Sequence, residues 1–74
     1  MNLPRYFLVN GRPVRFVATP DGGLDVEALD WGTGGFTRAM EYLTRCLTGD
    51  TDVDEVDAAA FDDRVARIRA TRGS

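Results

Sequence analysis

Histidine and lysine are absent from this chain of 74 residues, cysteine occurs once, and no unbroken apolar run is longer than four residues. Each gap removes a class of function. With no His and a single Cys, no nucleophile–base pair and no His/Cys metal cluster can be assembled. Asp and Glu are plentiful, yet nothing in their spacing sets two of them around a cleft for acid–base work. One cysteine cannot staple a fold, which sets aside the disulfide-dependent secreted mini-proteins. Runs as short as Tyr6 to Val9 fall far below a secretory core or a membrane span. The expectation is a cytoplasmic, non-enzymatic protein with no catalytic residues, no cofactor, no metal and no membrane partner.

All nine basic residues are Arg, against twelve Asp and Glu, so the net charge is −3. That balance argues against direct nucleic-acid binding, since phosphate neutralisation by cations supplies most of such affinity. The exclusive use of Arg, with many Ala, Gly, Asp and Val residues, reads as the coding bias of a GC-rich bacterial genome. A 43% apolar fraction is enough for a globular core. Residues 1–74 are expected to form one domain, with 72–74 frayed. A domain of this size is stabilised by about 4–11 kcal/mol.

Two turn signals organise the first half. Asn10-Gly11 suits a type I′ hairpin turn, which needs positive φ at both central positions. It sets Val9 opposite Arg12, Leu8 opposite Pro13, Phe7 opposite Val14, Tyr6 opposite Arg15 and Arg5 opposite Phe16. Pro20-Asp21-Gly22 suits a three-residue loop, with Gly22 left-handed, that closes Thr19 on Gly23. Ala18 then faces Leu24, Phe16 faces Val26, Val14 faces Ala28 and Arg12 faces Asp30. A two-residue loop would instead set Phe16 against Glu27, and one slipped residue moves a whole apolar set to the wrong side. The core face therefore holds Phe7, Val9, Val14, Phe16, Ala18, Leu24, Val26 and Ala28.

The opposite face carries Tyr6, Leu8, Pro13, Arg15, Val17, Asp25, Glu27, Leu29 and Trp31, and is more apolar than a face that meets only water. Two readings compete: cover by a helix or loop of the same chain, or a surface for a partner. Arg15, between Tyr6 and Glu27, is placed for a cation–aromatic contact and an ion pair, each worth about 0.2–1 kcal/mol.

After Trp31, Gly32-Thr33-Gly34-Gly35 reads as a flexible connection. Phe36, Ala39, Met40, Leu43, Cys46 and Leu47 then recur at the helical period and predict a helix over 36–48, closed by Gly49 and packed on the core face. Cys46 on that stripe reads as a small core hydrophobe. Residues 52–56 read as extended, with Asp57 capping a helix over 58–71 whose stripe is Ala58, Phe61, Val65 and Ile68. The competing reading makes residues 50–72 all helical, with Thr51 and Asp54 as a capping box. The predicted fold is α+β: a three-stranded antiparallel meander over 4–10, 12–19 and 23–31, a short fourth strand as an option, and two helices, in the order β-β-β-α-(β)-α.

Candidate sites are few. Asp50, Asp52 and Asp54 alternate like the start of a calcium loop, but Glu55 stands where that loop needs Gly and Phe61 where it needs Glu. The Gly32–Arg38 turn lacks the Walker Lys and any dinucleotide fingerprint. Arg64, Arg67, Arg69 and Arg72 complement the negative end of the last helix, or alternatively form an anionic-partner patch with Arg5 or Arg45. The functional expectation is a bacterial accessory, inhibitor or immunity-like domain that binds a protein, or itself as a homodimer, through Tyr6, Leu8, Arg15, Leu29 and Trp31. The alternative is a small-ligand or anion-binding domain using the Gly32–Arg38 turn, where backbone amides would meet the positive end of a helix.

Overall fold

The Asn10-Gly11 turn has the left-handed backbone that its residues allow, with φ of 50° at Asn10 and 83° at Gly11. It joins β1 (Arg5–Val9) to β2 (Arg12–Ala18) in the expected register, from Val9 opposite Arg12 to Arg5 opposite Phe16. In the computed structural model, which describes residues 2–72, the second turn is also the bulged loop. Gly22 has a φ of 85°, and Thr19 and Gly23 close the loop through a 3.0 Å hydrogen bond from the Thr19 amide to the Gly23 carbonyl. β3 (Leu24–Leu29) therefore pairs Ala18 with Leu24, Phe16 with Val26 and Val14 with Ala28. β3 ends at Leu29, so the expected rung between Arg12 and Asp30 lies beyond the ladder.

The largest departure from the sequence reading follows Trp31. The Gly-rich segment does not lead into a helix but makes a hairpin: Gly34 donates to the Asp30 carbonyl and Asp30 to the Gly35 carbonyl, both at 2.8 Å. A fourth strand, β4 (Phe36–Arg38), then pairs with β3, placing Phe36 opposite Leu29 and Arg38 opposite Glu27. The apparent helical stripe is divided between the two faces: Phe36 lies in β4 and stacks on Phe61 of α2, whereas Ala39 and Met40, in the turn that follows, pack with the core on the other face. Short apolar spacings cannot separate the two periods, and pairing of the β3 edge decides between them.

The helix itself, α1 (Tyr42–Thr48), is only seven residues long. It ends as expected at Gly49, whose φ of 71° is the left-handed closing geometry. Leu47, on the stripe expected to be buried, is 51% exposed. β5 (Val53–Val56) then pairs antiparallel with β1, which settles residues 50–57 in favour of the extended reading. Asp57 caps α2 (Ala58–Arg72), its carboxylate accepting the Ala60 amide at 2.8 Å. Arg72, expected to fray, belongs to α2, and residues 73 and 74 lie outside the described residues.

The sheet order is β4-β3-β2-β1-β5, with every neighbouring pair antiparallel. The fold is α+β in the order β-β-β-β-α-β-α, one strand richer than the meander with an optional fourth. One face buries Phe7, Val9, Val14, Phe16, Val26 and Ala28 with Ala39 and Cys46, and Met40, Tyr42 and Leu43 from the α1 region pack against them. The other face is covered by α2, whose Phe61 and Val65 are buried. Each sheet face thus has one helix as its cover.

Candidate functional site

α2 crosses the second sheet face from the β5 edge to the β3–β4 hairpin, where the Arg69 side chain donates to the Gly34 carbonyl at 2.8 Å. That path decides the fate of the five residues read as an interaction surface. Leu29 is completely buried and Tyr6 lies half-buried, its ring 4.7 Å from that of Phe61. Arg15 pairs with Glu27 at 2.8 Å as expected. Its guanidinium, however, lies 3.9 Å above the Phe36 ring, an aromatic partner that the three-strand reading could not supply. Leu8 is half-buried in a cleft of about 260 Å³ beside Ala60, Asp63, Arg64 and Arg67. Trp31, at 51%, is the member of the set that stands well out of the fold.

Trp31 lies two residues beyond the end of β3, at the end of the sheet that also carries the Asn10-Gly11 turn. On the α2 side it lines a groove of about 290 Å³ with Arg64, Arg67, Ile68 and Thr71. On the α1 side it borders a more polar cleft of about 270 Å³ with Arg12, Tyr42, Arg45 and Asp52. The polar cleft is internally braced. Arg12 donates to the Leu29 carbonyl at 2.7 Å and to the Tyr42 hydroxyl at 2.9 Å. Arg45 is held by Asp52 and, at 3.6 Å, by Asp50, and the Asp52 contact raises the guanidinium pKa further above its ordinary value.

The groove on the α2 side is chemically different. It is lined by Ile68, Thr71 and the indole together with Arg64 and Arg67. Arg67 is paired with Asp63 at 2.9 Å, one helical turn away. Arg64 is exposed, and its Nη2 would lie 3.8 Å from a Cβ added at Gly11. Among the described residues Arg64 has no ion pair. Arg64 and Arg67 also line the Leu8 cleft, so one track runs along the flank of α2 from Leu8 to Trp31. Sequence patterning placed both arginines in water, and they are exposed. Nothing in their spacing said which strand residues would lie beside them.

Other candidates separate. Asp50 and Asp52 both face Arg45, Asp54 stands opposite Leu8 on the β5 edge, and no group of three acidic or Cys side chains among the described residues could hold a metal ion. The Gly32–Arg38 turn does not precede a helix, because α1 begins at Tyr42. Its amides at Gly32, Gly34 and Gly35 already donate to Asp30 and Thr33 oxygens within the loop. Arg5 pairs with Glu55 and Arg45 with Asp50 and Asp52, so neither extends the arginines of α2 into a single patch. Cys46 is buried, and desolvation pushes its thiol up to about 11. No helix among the described residues is long and apolar enough to cross a membrane.

What fold and site together define is a small antiparallel sheet with one helix on each face and an exposed Trp at one end. No family model, curated protein or solved structure matches the chain.

Proposed function

We propose that this protein is a small, non-enzymatic interaction domain of the accessory, inhibitor or immunity kind, acting in the bacterial cytoplasm. In this reading it binds a protein partner through the Trp31 end of its sheet. The observation that carries the reading is the exposure of Trp31, the chain's single Trp, beside two clefts rimmed by arginines. Trp, Tyr and Arg dominate the energetics of protein interfaces because each combines a large apolar area with directional polar groups. The anchors shift from the open sheet face to its end, since α2 takes Leu29 and Tyr6 into the fold.

The experiment compares wild-type protein with Trp31→Ala as bait in extracts of the source bacterium, with folding checked by circular dichroism. A partner retained by the first and lost by the second is the expected result. Equal capture by both removes Trp31 from the site, and an unfolded variant assigns it to the core. Light scattering after size exclusion separates a homodimer from a complex with another protein.

A further inference from the structure

We infer that the groove between Trp31 and α2 receives an acidic peptide segment, which sets one apolar side chain against Trp31 and Ile68 and a carboxylate on Arg64. The inference rests on the interaction reading above and names the chemistry of the partner. At about 290 Å³ the groove falls just below the range of small-molecule pockets, roughly 300–1,000 Å³. It suits a single apolar side chain.

Charge supplies the rest. Although acids outnumber arginines twelve to nine, the pairing is uneven. Arg5, Arg15, Arg38, Arg45 and Arg67 each hold a carboxylate of this chain. Arg12 and Arg69 are turned onto carbonyl or hydroxyl oxygens. Arg64 has none of these among the described residues, and it stands where the Leu8 cleft meets the Trp31 groove. A guanidinium with open donors beside an exposed indole is complementary to a carboxylate, which it can bind through two parallel hydrogen bonds.

Asp63 lines the Leu8 cleft as well, and its pair with Arg67 keeps its charge occupied one helical turn before that residue. A polynucleotide fits less well. Phosphate binding needs a row of cations, whereas Arg64 is a single guanidinium whose neighbour Arg67 is already paired with Asp63.

The test selects peptides from a random dodecapeptide display library on the wild-type protein, then titrates the selected peptides while following Trp31 emission. The signal is unambiguous because the chain has one Trp. The expected peptides are rich in Asp and Glu around one apolar residue, shift the emission to the blue, and weaken with added salt. Arg64→Glu should weaken them at least about tenfold, and Arg64→Gln by an intermediate factor. The two variants alter an exposed side chain, and circular dichroism checks that each still folds.

Selection of neutral or basic peptides, selection of none, or unchanged binding by Arg64→Glu overturns the inference. So does a tighter Arg64-dependent response to single-stranded oligonucleotide or to phosphatidylserine vesicles. Peptides that move Trp31 but ignore Arg64 overturn the acidic partner alone. A native partner captured equally by Trp31→Ala overturns the interaction site itself.

Discussion

Phe61 of α2 lies with its ring centroid 4.7 Å from Tyr6 of β1 and 5.7 Å from Phe36 of β4. Three elements distant in sequence thus meet in one aromatic cluster under the last helix. A sheet face that would otherwise be a broad apolar surface becomes a second core.

Phe61→Ala is therefore expected to cost about 3–4 kcal/mol, through lost burial and the cavity left behind. That is a large share of the 4–11 kcal/mol typical of domains this size, roughly. Trp31→Ala, at a half-exposed position, is expected to cost about 1 kcal/mol or less. Urea unfolding of the two variants checks the contrast. Equal losses would make Trp31 a core residue and remove the proposed site.

Gly49→Ala places a Cβ in open space at a φ of 71°. Only backbone strain opposes it, so the expected loss is about 1 kcal/mol. Gly11→Ala has the same strain at a φ of 83°, and its added Cβ meets Arg64 at an ordinary contact distance. Denaturation midpoints for both should fall by similar amounts, and a neutral Gly11→Ala would mean that the turn can relax to another type.

Cys46 sets a pH dependence at the alkaline end. Its thiol is raised to about 11 in the folded protein by burial, whereas an unfolded cysteine titrates near about 8.5. Between these values the unfolded chain has lost the proton and the folded one keeps it, so stability falls as pH rises through that window. Cys46→Ala should flatten the decline in denaturation midpoints measured from neutral to alkaline pH. Native Cys46 should also resist a thiol reagent at pH 8, about, until the protein opens.

At the acid end, Arg5 donates from two nitrogens to the two oxygens of Glu55, at 2.9 and 2.8 Å. These hydrogen bonds hold the Glu55 carboxyl below its ordinary pKa. The pair's contribution is present above the unfolded value of about 4.3 and is lost as pH falls through the folded one. It is small, because both side chains reach water. An NMR titration should find Glu55 shifted down in the wild type and restored toward its ordinary range in Arg5→Gln.

Much of the fold was legible because its determinants are local. The hairpin at Asn10-Gly11, the bulged loop at Gly22, the Gly49 closure and the Asp57 cap each follow from what a few adjacent residues permit, and all four are observed. The helical reading of 36–48 failed at Phe36, Ala39 and Met40 because three apolar residues at helical spacing are too few to exclude a short strand and a turn. The deciding contact there is the hairpin pairing with β3, which the Gly-rich connection permits but does not by itself signal. The site was legible in part. Trp31 and Leu8 were named from strand alternation, whereas Arg64 and Ile68 became their neighbours only through the path of α2.

What the amino-acid order determined by itself is the pairing of β1, β2 and β3 and the sorting of their side chains onto two faces. Positive φ at Asn10, Gly11 and Gly22 leaves few turn geometries, and strand alternation propagates each choice along the ladder. What only the tertiary structure decided is the use of the second face. α2 leaves the β5 edge and crosses the sheet, burying Leu29 and half-burying Tyr6, while Trp31 remains at the margin beside Arg64. The amphipathic pattern of a helix says that one stripe must be buried but not against which surface, and that choice belongs to the packing of the whole chain.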